Sequence, residues 1–181
     1  MMKKIALIIV FLFLGNIIFA QKMMTRTGQI KFEASVPSFD PVAAVNNSVS
    51  AILDESNGEF AVLALVKAFK FKIPLMEEHF NENYMESSVY PKATFKGKIL
   101  NFDASKLASS KKYDLEGDLT IHGVTKKIKT KVNAELKDRK VYISGNFTVK
   151  NQDFNIKIPS IVKSKVSEDV QVSLDLVLDE K

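Results

Sequence analysis

The sequence contains no cysteine. Disulfides are therefore unavailable, and stability must come from burial. A thioether-linked lipid anchor and thiolate metal sites are excluded for the same reason. Histidine is scarce too, with only His79 and His122 in 181 residues. They stand in different segments, and neither belongs to a HExxH pair. A histidine-based metal site has no footing, and no metal or other cofactor is expected. No GxSxG nucleophile elbow occurs. Low-complexity tracts and clear repeats are absent, and beyond residue 20 no run is apolar enough to span a bilayer.

The one long apolar run stands at the front. Lys3 and Lys4 precede "IALIIVFLFLGNIIF", which ends beside the small residue Ala20. That order is the pattern of a secretory signal peptide over residues 1–20. The alternative is an uncleaved anchor, but the run is short against the ~20 residues a spanning helix needs. Cleavage after Ala20 would leave 161 residues, 21–181, a suitable length for one domain with a sizeable core. Such a protein is expected in a periplasm or otherwise exported. Without Lys3 and Lys4 the net charge falls from +5 to +3. That mild excess, with an export address, argues against a nucleic-acid partner.

What remains is dominated by period-two alternation. "GQIKFEAS" alternates Ile30, Phe32 and Ala34, and "KATFKGKIL" alternates Ala93, Phe95, Gly97 and Ile99. "YDLEGDLTI", "VTKKIKTKVNAEL", "VYISGNFTV" and "DVQVSLDLVL" continue the pattern. "NNSVSAILD" and "EFAVLALVKAFKF" flank the turn-like "ESNG" and read as a hairpin. About eight alternating strands with short turns predict an all-β, antiparallel barrel or sandwich. A closed barrel of ~8 strands can hold one small ligand. One helix is expected at "PLMEEHFNEN". Pro74 suits its first position, and Glu77 and Glu78 suit the positive end of its dipole. Leu75, Met76, His79 and Phe80 share a face there and are expected to join the helix to the barrel.

"EFAVLALVKAFKF" departs from the rule, because both of its alternating sets are apolar. A strand on a solvated barrel should show one polar face. The short helix, the "VPSFDPVAAV" loop or a second subunit must cover it, and a homodimer contact is the favoured expectation.

Chemistry-bearing clusters are few. His79 beside Glu77 and Glu78 resembles a site, but adjacent residues do not face one another on a helix. Asp114, Glu116 and Asp118 alternate opposite Leu115 and Leu119, as carboxylates on a solvated outer face would. Lys127, Lys129 and Lys131 likewise read as outward lysines that blunt aggregation rather than as an anion site. No catalytic constellation is detectable, and an enzyme is not expected. Gly97, Gly117 and Gly145 are more informative, because each falls in the core-facing set of its strand. They permit curvature, or open room for a ligand through their missing side chains, or do both.

Two separated blocks carry a family resemblance. "LMEEHFNENYMESSVYPKATFKGKI" resembles the segment of YceI-like proteins running M-x-x-HF-x-x-x-Y-x-E-x-x-x-YP-x-ATF-x-G. "LEGDLTIHGVTKKI" resembles their G-x-LT-x-HGVTK-x-V block, and "DFNIKIP" resembles their C-terminal part. The likeness runs from about Gly28 to Leu178. It implies an eight-stranded antiparallel, lipocalin-like barrel with one short helix, exported and often dimeric. It also implies a bound polyisoprenoid or other long-chain amphiphile, and brings no shared catalytic set. The front departs from the pattern: many relatives open with a tryptophan-containing strand, whereas this chain has no tryptophan and reads "ASVPSFDPVAAVNNSV".

The leading expectation is a binding protein that holds a long-chain lipid by burial. Candidate lining residues are Phe69, Phe71, Phe95, Gly97, Ile99, Leu115, Gly117, Leu119, Ile121, Gly145, Phe147 and Val149. The rivals are a filled envelope barrel without ligand, and an enzyme using His79 or His122 as acid or base.

Overall fold

Alternation becomes strand along most of the chain. The computed structural model describes residues 22–37 and 39–180, and the expected signal peptide at 1–20 lies outside them. The strands are β1 (Lys22–Ser35), β2 (Ala43–Asp54), β3 (Glu59–Leu65), β4 (Lys70–Phe71), β5 (Lys92–Ile99), β6 (Lys111–Ile121), β7 (Val124–Lys137), β8 (Lys140–Lys150) and β9 (Val166–Glu180). Eight of them close into an antiparallel ring, β1-β9-β8-β7-β6-β5-β3-β2 and back to β1. Phe32 of β1 shows the closure, facing Val172 on one side and Ala44 on the other. Closure removes the exposed edges that an open sheet must protect. The two-residue β4 adds only a short pairing to β2.

Tight turns set the register. Between β7 and β8, Asp138 and Arg139 both take positive φ, as a two-residue type I′ hairpin demands. His122 and Gly123 do the same between β6 and β7. That register places Asp118, Glu116 and Asp114 directly opposite Lys127, Lys129 and Lys131. All three pairs form ion pairs, with Lys129 Nζ 2.7 Å from Glu116. The two charged stripes are thus one cross-strand ladder. Each exposed pair contributes only ~0.2–1 kcal/mol, but the matched signs favour this register over a slipped one.

The two ends of the barrel differ. At one end Met23, Leu53, Ile99, Leu107, Val141 and Leu178 are fully buried and close-packed. At the other, small residues face inward: Ala34, Ala44, Ala64 and Ala93. The space this leaves is covered by the helical connection α1 (Pro74–His79) and by the segment between β8 and β9.

Three sequence expectations need correction. "EFAVLALVKAFKF" is not one strand: a 3₁₀ turn at Val66–Ala68 separates β3 from β4. The turn resets the alternation, so Val66 and Phe69 are both buried despite their odd spacing. Phe69 and Phe71 of the apparent second apolar face are therefore interior, whereas Leu65, and Ile52 on the neighbouring β2, remain nearly half exposed outside. The "VPSFDPVAAV" stretch is only partly loop, since β2 already begins at Ala43. The helix, expected to run to residue 83, is α-helical for six residues and continues as a π turn over Phe80–Tyr84. The Met85 amide there donates to the Phe80 carbonyl five residues back, at 2.9 Å. Asn81 Nδ2 meanwhile donates to the Glu77 carbonyl. A wider turn lets residues four and five apart share a face, and Phe80, Tyr84 and Met85 all reach the barrel interior.

Candidate ligand-binding cavity

The open half of the barrel holds a cavity of about 450 Å³. That is about three times the ~150 Å³ apolar cavity that accepts benzene, and lies within the usual 300–1,000 Å³ of ligand pockets. Strand residues form its wall. Ile30 and Phe32 come from β1, Leu119 and Ile121 from β6, Phe147 and Val149 from β8. Met76, Phe80, Tyr84 and Met85 cover it from the helical connection, and Phe154, Ile156, Ile158 and Val162 from the segment before β9. A second void of about 70 Å³ lies deeper, lined by Phe60, Phe95, Leu115 and Leu174 among others. Ile30, Ala64, Ala93, Leu119 and Phe147 border both spaces and act as the partition.

Aromatic packing shapes the upper wall. Phe80 stacks on Phe32 at 5.3 Å between ring centroids and meets Phe71 at 5.1 Å and Phe69 at 6.0 Å. Phe32 also touches Phe69 and Phe71. Offset and edge contacts of this kind add ~0.5–1.5 kcal/mol per pair beyond area burial. The group ties the π turn after α1 to β1 and β4 while presenting ring faces to the cavity.

Ionisable side chains keep to the mouth. Asp40, His79, Lys150 and Lys165 border the cavity, and all four are solvent-exposed. Lys165 Nζ lies over the Phe39 ring at 5.9 Å, and Lys150 stands 3.9 Å from Asp169. Among the described residues no group of three or more His, Cys, Asp or Glu could hold a metal ion. His122 lies outside the cavity wall, at the β6–β7 turn. Its Nε2 is 2.8 Å from a Glu86 carboxylate oxygen and its Nδ1 is 3.2 Å from the Phe154 carbonyl. Its ring meets Tyr90 edge-on at 4.5 Å, and a Cβ at Gly123 would strike Tyr90. His122 thus fastens the segment after the helix and the Asn151–Phe154 turn to one hairpin tip, a positioning role with both nitrogens engaged.

The candidate lining residues separate by depth. Phe69, Phe71, Leu119, Ile121, Phe147 and Val149 border the main cavity, while Phe95 and Leu115 border the smaller void. Ile99 is fully buried in the packed end and borders neither. Gly97, Gly117 and Gly145 also border neither, so they open no room for a ligand there. Gly97 and Gly117 face each other across β5 and β6. A Cβ on Gly97 would overlap the Glu116 carbonyl oxygen and lie 2.6 Å from Phe95 Cζ. The Phe95 ring covers both glycines, and their missing side chains let the strands and that ring approach. Gly145 is similarly tight, with Val132 Cγ1 3.0 Å from a Cβ placed there.

The helix joint also changes. Met76, His79 and Phe80 do border the cavity, but Leu75 points to solvent at 57% exposure and joins nothing to the barrel. The polar fastening is Glu77. Its carboxylate accepts from Lys70 Nζ at 2.6 Å and from the Phe71 amide at 3.2 Å. The Lys70 hydrogen bond, aided by that amide, holds its pKa below the usual carboxylate value. Sequence reasoning did not single out β1, the alanines, or the Phe154–Val162 segment as lining. The β1 alternation and the apolar "FNIKIPSIV" were the available signals.

The YceI-like domain family matches residues 17–178. The chain belongs to the YceI-like family. Solved structures agree with its eight-stranded barrel. A polyisoprenoid binding domain from Saccharophagus degradans superposes with a TM-score of 0.76 at 16% identity, covering 88% of this chain and 98% of that one. BcnA of Burkholderia cenocepacia gives 0.68 at 21% identity, covering 82% and 95%. The Campylobacter jejuni YceI protein gives 0.62 at 19% identity, covering 81% and 88%. At these identities the likeness is one of fold. No curated protein sequence matches the chain. The cavity of this YceI-like protein is built from its own residues, and no helix among its described residues is long and apolar enough to cross a membrane.

Proposed function

We propose that this YceI-like protein is a lipid-binding protein that holds a polyisoprenoid or similar long-chain amphiphile in its barrel. One observation carries the reading: the 450 Å³ cavity is walled by hydrocarbon and aromatic side chains, and its charged groups stand at the exposed mouth. Burial of hydrocarbon stabilises by ~0.8 kcal/mol per CH₂, so a long tail binds there without a charged anchor in the depth. The Saccharophagus degradans relative is a polyisoprenoid binding domain, which supports the same class of ligand. Binding rather than chemistry also fits His122, whose ring nitrogens are occupied by structural contacts.

The test is mass spectrometry of organic extracts from natively purified protein, with uptake of added polyprenyl alcohols measured alongside. A co-purifying long-chain lipid displaced by the added alcohols is expected. Absence of both co-purified lipid and uptake would refute the reading and favour a barrel without ligand. The apolar leader supports export, which N-terminal sequencing of envelope-fraction protein tests through the expected start at Gln21. Ile52 and Leu65 on the outer face of β2 and β3 support a homodimer, tested by light scattering coupled to size exclusion.

A further inference from the structure

The segment between β8 and β9 does two things at once. Ile156, Ile158 and Val162 point into the cavity and form part of its cover. Lys157, Lys163 and Lys165 are exposed on the same short stretch, and no acidic residue occurs between Phe154 and Ser167. Ile161, in the 3₁₀ turn at Ser160–Val162, is the most exposed of the large apolar residues among those described, at 84%. Phe39, at the same mouth and beneath Lys165, is 45% exposed.

An isoleucine held out in water is usual when single. Here it is flanked by lysines and sits on the lip of a lipid-sized opening. Lys157 and Lys165 form no ion pair among the described residues, whereas Lys163 lies 3.2 Å from Glu168. Asp40 also borders the mouth, Asp153 is exposed in the Asn151–Phe154 turn before the segment, and Asp169 stands beside Lys150. Unpaired lysines around exposed apolar side chains complement an anionic bilayer, where headgroups meet the ammonium groups and the apolar tips enter the acyl boundary.

We propose that the lip formed by Lys157, Ile161, Lys165 and Phe39 docks on an anionic lipid bilayer, bringing the cavity mouth against the acyl region so that a ligand passes between them without crossing water. This rests on the lipid-binding reading above and adds the surface from which the cavity is filled. A free soluble anion would leave Ile161 without an apolar medium, and a neutral bilayer would leave the lysines without counter-charge.

Flotation of the natively processed protein with phosphatidylglycerol/phosphatidylcholine vesicles tests it. Expected are partitioning that rises with phosphatidylglycerol content and falls with added salt. Each lysine changed to glutamine, Lys157→Gln or Lys165→Gln, should lower partitioning about five-fold. Ile161→Ser should lower it about ten-fold. All three side chains are exposed, so thermal midpoints should stay unchanged. Equal partitioning to pure phosphatidylcholine vesicles, or no loss in these variants, overturns the proposal. Uptake of polyprenyl alcohol from detergent micelles, measured on the same samples, separates the two readings. Intact uptake without flotation refutes docking alone, and flotation without uptake refutes the cavity reading.

Discussion

Gly97→Ala isolates what the interior glycines are for. A methyl at this position meets the Glu116 carbonyl oxygen, Gly117 Cα at 2.7 Å and Phe95 Cζ at 2.6 Å. Two of these three atoms are backbone of the neighbouring strand, so they cannot move without disturbing the β5–β6 pairing. Only the phenyl ring can turn aside. Overpacking in a dense core costs ~1–3 kcal/mol, and backbone contacts place this case near the upper value. Loss of a flexible glycine from the unfolded chain offsets ~0.4–1 kcal/mol. The net expectation is destabilisation by about 2 kcal/mol. For a domain of this size that lowers the thermal midpoint by ~4–8 °C. Urea unfolding followed by circular dichroism gives the free energy. A double-mutant cycle with Phe95→Leu should show a coupling of ~0.5–1 kcal/mol, because the ring accounts for one contact of the three. Lipid uptake should be unaffected, since Gly97 borders neither void. A stability change below 0.5 kcal/mol, or a selective loss of ligand capacity, would refute the reasoning and restore the glycine to the ligand space.

Other consequences can be checked separately. Ala93→Phe should fill the space between the two voids. Displacing even two methylenes of a bound tail forfeits ~1.6 kcal/mol, about fifteen-fold in uptake, while stability holds. His122→Ala removes the hydrogen-bonding bridge to Glu86 and Phe154. It should destabilise by ~1.5–3 kcal/mol in urea and speed hydrogen exchange at residues 86–90 and 151–154. The Asp103 carboxyl, held at about 2 by hydrogen bonds from Lys106 and then Ser105, lies below its ordinary 3.8. Its contribution is therefore fully present above about pH 4 and lost as pH falls toward 2. Wild type and Asp103→Asn should differ in urea midpoint at pH 7, and the difference should shrink as pH falls from about 4 through about 2. A constant difference across that window would show that the charge is not the cause.

The strands were legible because alternation is a local property. Inward residues such as Val141, Ile143, Leu174 and Leu176 declare themselves within their own segments. The break at Val66–Ala68 was not legible, because an apolar run carries no mark of a phase reset. Outward charges were recognised, but their opposition was not. Only register brings Glu116 against Lys129. The site was half legible for the same kind of reason. Alternation says that Leu119 and Ile99 both face inward, but not that one borders a cavity and the other a packed end.

The sequence by itself determined an all-β alternating chain, a short helical connection, the absence of thiolate chemistry and the family's two motif blocks. The tertiary structure decided where space remains. Gly97 and Gly117 looked like gaps, yet they meet across two strands and are covered by the Phe95 ring. Ala64 and Ala93 looked ordinary, yet they face each other where no large side chain arrives. A cavity is the volume that neighbours from distant segments fail to fill. It is a property of closure and side-chain packing, and no single strand contains it.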